Sequence, residues 1–279
     1  MPLDSASAVS WLPWLSRAKT QFHHIGWHPI SYWLGRPASL SLLGADGATR
    51  GSLLASPDQL GTAWLHLFAA DTPPGERAAW AKLWPDAEKI LTGMGLEAVW
   101  AMATQPWLLA LLKSSGFSER GTVIAYCQQP SKFWPVSEFM QHIAPLRKED
   151  LPSVEALDRV AFDPPWQMDS DALRETMERS LLSATLVLED HIAGYLMAVA
   201  TPHGVHLTRL AVHPNDQSRG IGRALTAYAL NHFHREGAPW ITVNTQNGNL
   251  RSRHLYRSMG FSEMQEFYPV LRIDLKGNP

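Results

Sequence analysis

The sequence predicts an α/β protein built from two tandem domains of like topology, and three observations predict it. The tetrapeptide Gly-Phe-Ser-Glu stands at Gly116–Glu119 and again at Gly260–Glu263, 144 residues further on. At that offset, and without a gap, the apolar pattern of Leu40–Gln128 falls under that of Ala184–Arg272. A repeat of this length means two copies of one domain, because solenoid periods are roughly 20–50 residues. Strand-like and helix-like patterns alternate along the second copy, which argues α/β. The 279 residues suffice for two ordinary domains. The join is expected in Cys127–Phe139, where prolines and polar residues interrupt the pattern, giving domains 1–133 and 134–279.

The second copy reads clearly. Ile143–Arg147 is a short strand, and Lys148–Phe162 a helix with Glu149 and Asp150 in its first turn, where negative charge suits the helix dipole. Asp171–Leu182 reads as a second helix. Ala184–Asp190 and Ile192–Thr201 form a hairpin around Asp190 and His191, and Val205–His213 alternates as a strand. Gly222–Gly237 is an amphipathic helix ended by its glycine. Trp240–Thr245 is a strand, Leu250–Gly260 a helix and Glu266–Leu275 the last strand.

Composition bounds the function. A formal charge of −2 argues against an electrostatic grip on nucleic acid. The one cysteine, Cys127, excludes an internal disulfide and fits a reducing compartment. The first 19 residues carry an acid before a short apolar run and no basic start, so no signal peptide is expected. No apolar run approaches the roughly 20 residues of a membrane helix. A cytoplasmic protein with no membrane partner is expected, and homodimerisation stays open.

The segment Gln217–Gly222, Gln-Ser-Arg-Gly-Ile-Gly, lies between the strand Val205–His213 and the following helix. There the backbone N–H groups from about Arg219 to Arg223 lack helical partners. Gly220 and Gly222 remove side chains that would block a bulky anion, and Arg219 and Arg223 add positive charge, so a diphosphate is the natural guest. A tight turn serving structure alone is the competing reading. The segment is neither the dinucleotide fingerprint nor the lysine-bearing phosphate loop of nucleotide hydrolases.

The flanks extend the reading. Leu210–Leu225 followed by Asn244–Phe261 resembles the GNAT N-acetyltransferase superfamily, in its acetyl-CoA-binding motif and in its downstream Asn…Leu-Tyr…Gly-Phe segment. The resemblance covers about Ile143–Leu275, and its spacing is most similar to the ribosomal-protein alanine acetyltransferases. Ala161–Trp166 also resembles the substrate loop of those enzymes. The resemblance implies two tandem GNAT-like domains, each a mixed central sheet flanked by helices, and acetyl-CoA as cosubstrate of the C-terminal one. It implies that main-chain groups of Leu210, Ala211 and Val212 hold the acetyl carbonyl and the pantetheine arm. Gln217, Ser218, Arg219, Gly220, Ile221, Gly222 and Arg223 then cradle the pyrophosphate. Asn249 bonds the pantetheine arm, and the Tyr256 hydroxyl sits near the sulfur.

The implied chemistry is attack of an amine on the thioester, with Leu210 N–H stabilising the oxyanion and Tyr256 protonating the departing thiolate. The acceptor is a primary amine on a small molecule or a peptide. One position departs from the pattern. Where the alanine acetyltransferases place a glutamate, five residues before the pantetheine asparagine, this chain has Asn244, which cannot act as a base. His206 is the expected substitute, since imidazole titrates near neutrality. An idle strand histidine is the competing reading, and Glu189 or water are further candidates.

No metal site is expected. His232 and His234 are two apart on a helix and cannot share a face, and His23 and His24 have no ligand partner nearby in sequence. The twelve tryptophans read as core and interface packing rather than base-stacking platforms. Cys127 reads as inert. In the first copy, Pro73–Trp80 replaces the glycine loop, with Glu76 under Gly220 and Ala78 under Gly222, while Leu112 replaces Tyr256 and Gln105 replaces Asn249. That domain is expected to have lost the cofactor. An N-acetyltransferase is the leading function; CoA binding without turnover and transfer of a longer acyl group are the alternatives.

Overall fold

The computed structural model describes residues 13–24, 38–59, 61–72 and 75–275. The chain divides into two compact units: Met1–Gly121 with Tyr268–Pro279, and Thr122–Phe267. The expected join at 133/134 lies within the second of these units. Pro73 and Pro74, which open the segment replacing the glycine loop in the first copy, lie outside the described residues.

The first unit contains β1 (Thr20–His23), β2 (Ala38–Leu43), β3 (Thr49–Gln59), β4 (Thr62–Ala70), α1 (Glu76–Gly93), β5 (Ala98–Met102), α2 (Pro106–Ser114) and the start of β6 (Ser118–Gln128). Strands β2, β3 and β4 run antiparallel in sequence, and β5 joins β4 in parallel. Val270–Asp274 then pairs antiparallel with β5. Helix α1 buries Trp80, Leu83, Trp84 and Leu91 on one side, with the indoles of Trp80 and Trp84 stacked 5.1 Å apart. These tryptophans are core residues, as expected.

The second unit contains β7 (Ile143–Pro145), α3 (Leu151–Ala161), α4 (Ser170–Arg179), β8 (Ser180–Leu188), β9 (His191–Thr201), β10 (Gly204–Val212), α5 (Ile221–Arg235), β11 (Ile241–Gln246), α6 (Leu250–Ser258) and the start of β12 (Ser262–Asp274). Its strands follow the order β7-β8-β9-β10-β11, closed by Thr122–Gln128 of β6. All pair antiparallel except β10 with β11. The order and sense of β2 to β5 therefore repeat in β8 to β11. Each unit is a mixed central sheet flanked by helices.

Two local expectations shift. Helix α4 ends at Arg179 rather than Leu182. Ser180 turns extended, its hydroxyl donates to the Thr176 carbonyl at 2.7 Å, and it begins pairing with Val199 of β9. The open edge of β9 thus outcompetes a last helical turn. The gap-free offset also slips. Gln105 and Asn249 both cap a helix N-terminus, 144 residues apart as the repeat requires. However, the left-handed residue that opens α1 is Gly75 (φ 79°), matching Gly220 (φ 99°) before α5, so Glu76 stands at the place of Ile221 and not of Gly220.

Candidate active site

The site grows from a split between two parallel strands. Pairing of β10 with β11 covers Val205–Leu207 against Ile241–Val243 and then stops, while β10 continues along β9 to Val212 and β11 along β6 to Gln246. A bulge between Leu207 and Arg209 bends β10 at the point of departure. Beyond it the His213 N–H donates to the Ala193 carbonyl of β9 at 2.8 Å. Backbone groups alternate along a strand, so Ala211 also faces β9, whereas Leu210 and Val212 turn their peptide groups toward the gap. Ala211 is thus corrected from a cofactor contact to a ladder residue.

At the end of β10 the chain makes a short turn and enters the glycine loop. Ser218 (φ 64°) and Gly220 (φ 99°) are both left-handed, which aims successive N–H groups to one side before α5 begins. The first N–H groups of α5 have no helical acceptor. Ile221 contributes backbone only, because its side chain is buried against Gly194, where an added Cβ would lie 3.1 Å from the Ile221 methyl. Gly222 allows close approach of α6: a Cβ there would lie 3.3 Å from Leu255.

The polar side chains of the loop are engaged within the protein. Gln217 donates to the Val212 carbonyl at 3.1 Å and accepts from Arg251 of α6. Arg219 pairs with the buried Asp216, which also meets His191 Nε2 at 2.9 Å. The hydrogen bond to His191 first, and the charge of Arg219 after it, hold the Asp216 carboxyl below the usual range. Arg223 lies 5.6 Å from the Trp134 ring centroid. It flanks a cavity of about 470 Å³ walled by Trp134, Phe139, Gly220 and Ala227. Trp134 and Phe139 belong to the stretch read as the domain join. Two bulky aromatics in a supposed linker were the signal available there.

Helix α6 carries the other two expected residues. Asn249 is its N-cap, accepting the Ser252 N–H at 3.1 Å, which leaves the side-chain amide nitrogen as a donor. Tyr256 lies seven residues on, about 10 Å along the axis and on nearly the same face. It is 4% exposed, with ring centroids of Tyr126 and Phe261 at 5.9 and 5.7 Å. Burial pushes its phenol well above the ordinary value, so it stays protonated. Among the described residues no group hydrogen-bonds its hydroxyl.

His206 does not fit the role of base. It sits where β10 and β11 are still paired, its Nδ1 2.9 Å from the Thr242 hydroxyl. Leu210 lies four residues further along the strand, about 13 Å away at 3.2–3.4 Å per residue. Burial lowers its pKa to about 4, leaving a neutral and weakly basic ring. Glu189 occupies the left-handed turn between β8 and β9. Sequence reasoning missed Arg209, which is buried on the other face of β10 and paired with Asp158 of α3. An arginine within an alternating strand reads as solvent-facing until α3 is placed over it.

Residues 151–261 match the family model described as Acetyltransferase (GNAT) family. The chain is 26% identical over 134 residues to the [Ribosomal protein bS18]-alanine N-acetyltransferase of Escherichia coli strain K12, covering 47% of this chain and 89% of that one. It is 38% identical over 52 residues to the mycothiol acetyltransferase of Thermobifida fusca, covering 19% of this chain and 16% of that one. Among solved structures, a tandem GNAT protein from the clavulanic acid biosynthesis pathway is similar over 100% of this chain and 99% of its own, with 14% identity and a TM-score of 0.70.

Proposed function

We propose that the second unit, whose residues 151–261 match the GNAT acetyltransferase family model, transfers acetyl from acetyl-CoA to a primary amine by direct attack. The observation that carries the reading is the split of β10 from β11, with the peptide groups of Leu210 and Val212 facing the gap beside the glycine loop. The pantetheine arm adds to that edge as a strand would. The thioester carbonyl accepts from Leu210 N–H, where the oxyanion later develops. N–H groups from Ser218 to Arg223 hold the pyrophosphate. The side-chain amide of Asn249 donates to the arm, and Gln217 releases the Val212 carbonyl to it.

The amine attacks the carbonyl carbon, the tetrahedral oxyanion collapses, and the C–S bond breaks with its electron pair on sulfur. Tyr256 delivers its proton to that thiolate. The nucleophile arrives neutral, its first proton having gone to solvent, and the proton that its nitrogen sheds as the amide forms is balanced by reprotonation of the Tyr256 phenolate from solvent. That demand favours an amine of low pKa, such as a peptide terminus at about 7.7–8.0, over a lysine at about 10.4. Among the described residues no helix is long and apolar enough to cross a bilayer.

The test is a panel of peptides with free N-termini, N-terminal alanine included, and of small amines, incubated with acetyl-CoA while free thiol is monitored. Amine-dependent thiol release with mass gain of one acetyl group on the acceptor supports the reading. Tight CoA binding with no thiol released by any amine would move the protein to binding without turnover.

A further inference from the structure

A buried charged network in the second unit has no part in the reaction so far. Arg209 Nε donates to Asp158 Oδ2 at 2.7 Å and its Nη2 to Oδ1 at 2.6 Å. The Tyr195 hydroxyl donates to the same carboxylate. The pair is closed off from water, at 5% and 0% side-chain exposure. Both partners also hold the loop between α3 and α4: Arg209 Nη2 donates to the Trp166 carbonyl at 2.7 Å, and Asp158 Oδ1 accepts the Met168 N–H at 2.8 Å. The Phe162 ring lies 3.7 Å from the guanidinium carbon. One guanidinium–carboxylate pair therefore fixes the loop Phe162–Met168 at its start, middle and end.

Stability alone does not account for a charged pair here, since well-packed apolar side chains often serve as well. Position does. The Arg209 carbonyl and the Leu210 N–H share one planar peptide unit. The preceding Thr208 is the extra residue of the bulge, so the ladder skips one residue immediately before pairing resumes at Arg209 and Met197. Leu207, Leu210 and Val212 belong to the core packed under α5, while Arg209 lies among α3, β9 and the α3–α4 loop. The α5 side of β10 carries the glycine loop, and the α3–α4 loop lies against its opposite face.

We propose that Arg209 is a positioning residue that sets, through Asp158 and the Trp166 carbonyl, both the Leu210 peptide meeting the thioester and the Phe162–Met168 loop meeting the amine. The proposal rests on the acetyl-transfer reading above. Arg209→Lys keeps the charge but loses the planar fork, and Tyr195→Phe removes only a hydroxyl from the carboxylate. Both are compared with wild type in amine-dependent thiol release, acetyl-CoA calorimetry and amide hydrogen exchange.

In Arg209→Lys the amine KM rises about tenfold and kcat falls about 10- to 100-fold, the scale of an ångström's misplacement, while acetyl-CoA affinity stays within about twofold. The Met168 and Leu210 amides exchange faster together. Tyr195→Phe moves the same quantities less, and carries the test if Arg209→Lys does not fold. Unchanged amine KM and kcat in both variants would overturn the proposal, as would faster exchange at Met168 with Leu210 unaffected. Wild type releasing no thiol would instead overturn the transfer reading, and the joint or separate response of the two amides still decides whether Arg209 couples them.

Discussion

Replacing Tyr256 by phenylalanine deletes one oxygen and leaves a ring of the same shape between Tyr126 and Phe261, whose centroids lie 5.9 and 5.7 Å away. No hydrogen bond among the described residues is lost, so stability should change by no more than about 1 kcal/mol. For a unit of this size that is a shift of about 2–4 °C in Tm. If the phenol is the thiolate's proton donor, kcat falls by about 10²–10³, inside the general-acid range of ~10²–10⁴. That corresponds to about 2.7–4 kcal/mol of barrier, far more than the stability term. The raised phenol pKa adds a signature: Tyr256 is protonated throughout, so the ratio of wild-type to variant rate stays constant from about pH 6 to about pH 10. The assay is steady-state thiol release with the best amine of the panel, paired with calorimetry for CoA, whose affinity should hold within about twofold. A variant with full activity would refute the assignment of the acid. A rate loss matched by an equal loss of CoA affinity would refute the separation of binding from chemistry on which it rests.

Acetyl-CoA should slow hydrogen exchange at Leu210 and Val212 and bind once per chain. The first unit's equivalent edge is already paired, because β1 runs along β4 from His23–Leu67 to Thr20–Ala70 beyond the point where β4 leaves β5. Two equivalent sites by calorimetry, or β4 amides protected only after ligand addition, would contradict this. Gly220→Ala forces a side chain into φ 99°, at about 1–2 kcal/mol, and should weaken CoA binding by about 5- to 30-fold; unchanged affinity would show that the loop does not hold the anion. His206→Gln should leave turnover within about threefold. Because the folded pKa of His206, about 4, lies below the ordinary 6.5, its contribution to stability is full above about pH 6.5 and is lost as pH falls through the folded value. The variant's denaturation midpoint should therefore fall less than wild type's over that window, and parallel acid profiles would refute the buried neutral ring.

Local pattern was enough for most of the fold. Alternation marked β10, the glycines marked the loop, and the repeated Gly-Phe-Ser-Glu marked two copies, because each depends on residues adjacent in the chain. The placing of Asn249 at a helix N-terminus and Tyr256 seven residues on followed from the same helical period. Other features depend on partners far apart in sequence. Gly194 reads as a weak strand residue until α5 lies so close that a Cβ would meet Leu225 at 2.9 Å. Arg209 reads as solvent-facing until Asp158, 51 residues earlier, covers it. His206 had the right chemistry and the wrong surroundings, since burial and Thr242, 36 residues away, decide its protonation. The sequence by itself determined the strand and helix periods and the place of the glycine loop between β10 and α5. Tertiary structure alone decided which peptide groups stay unpaired and which charges are neutralised, because desolvation and pairing act between residues that only folding brings together.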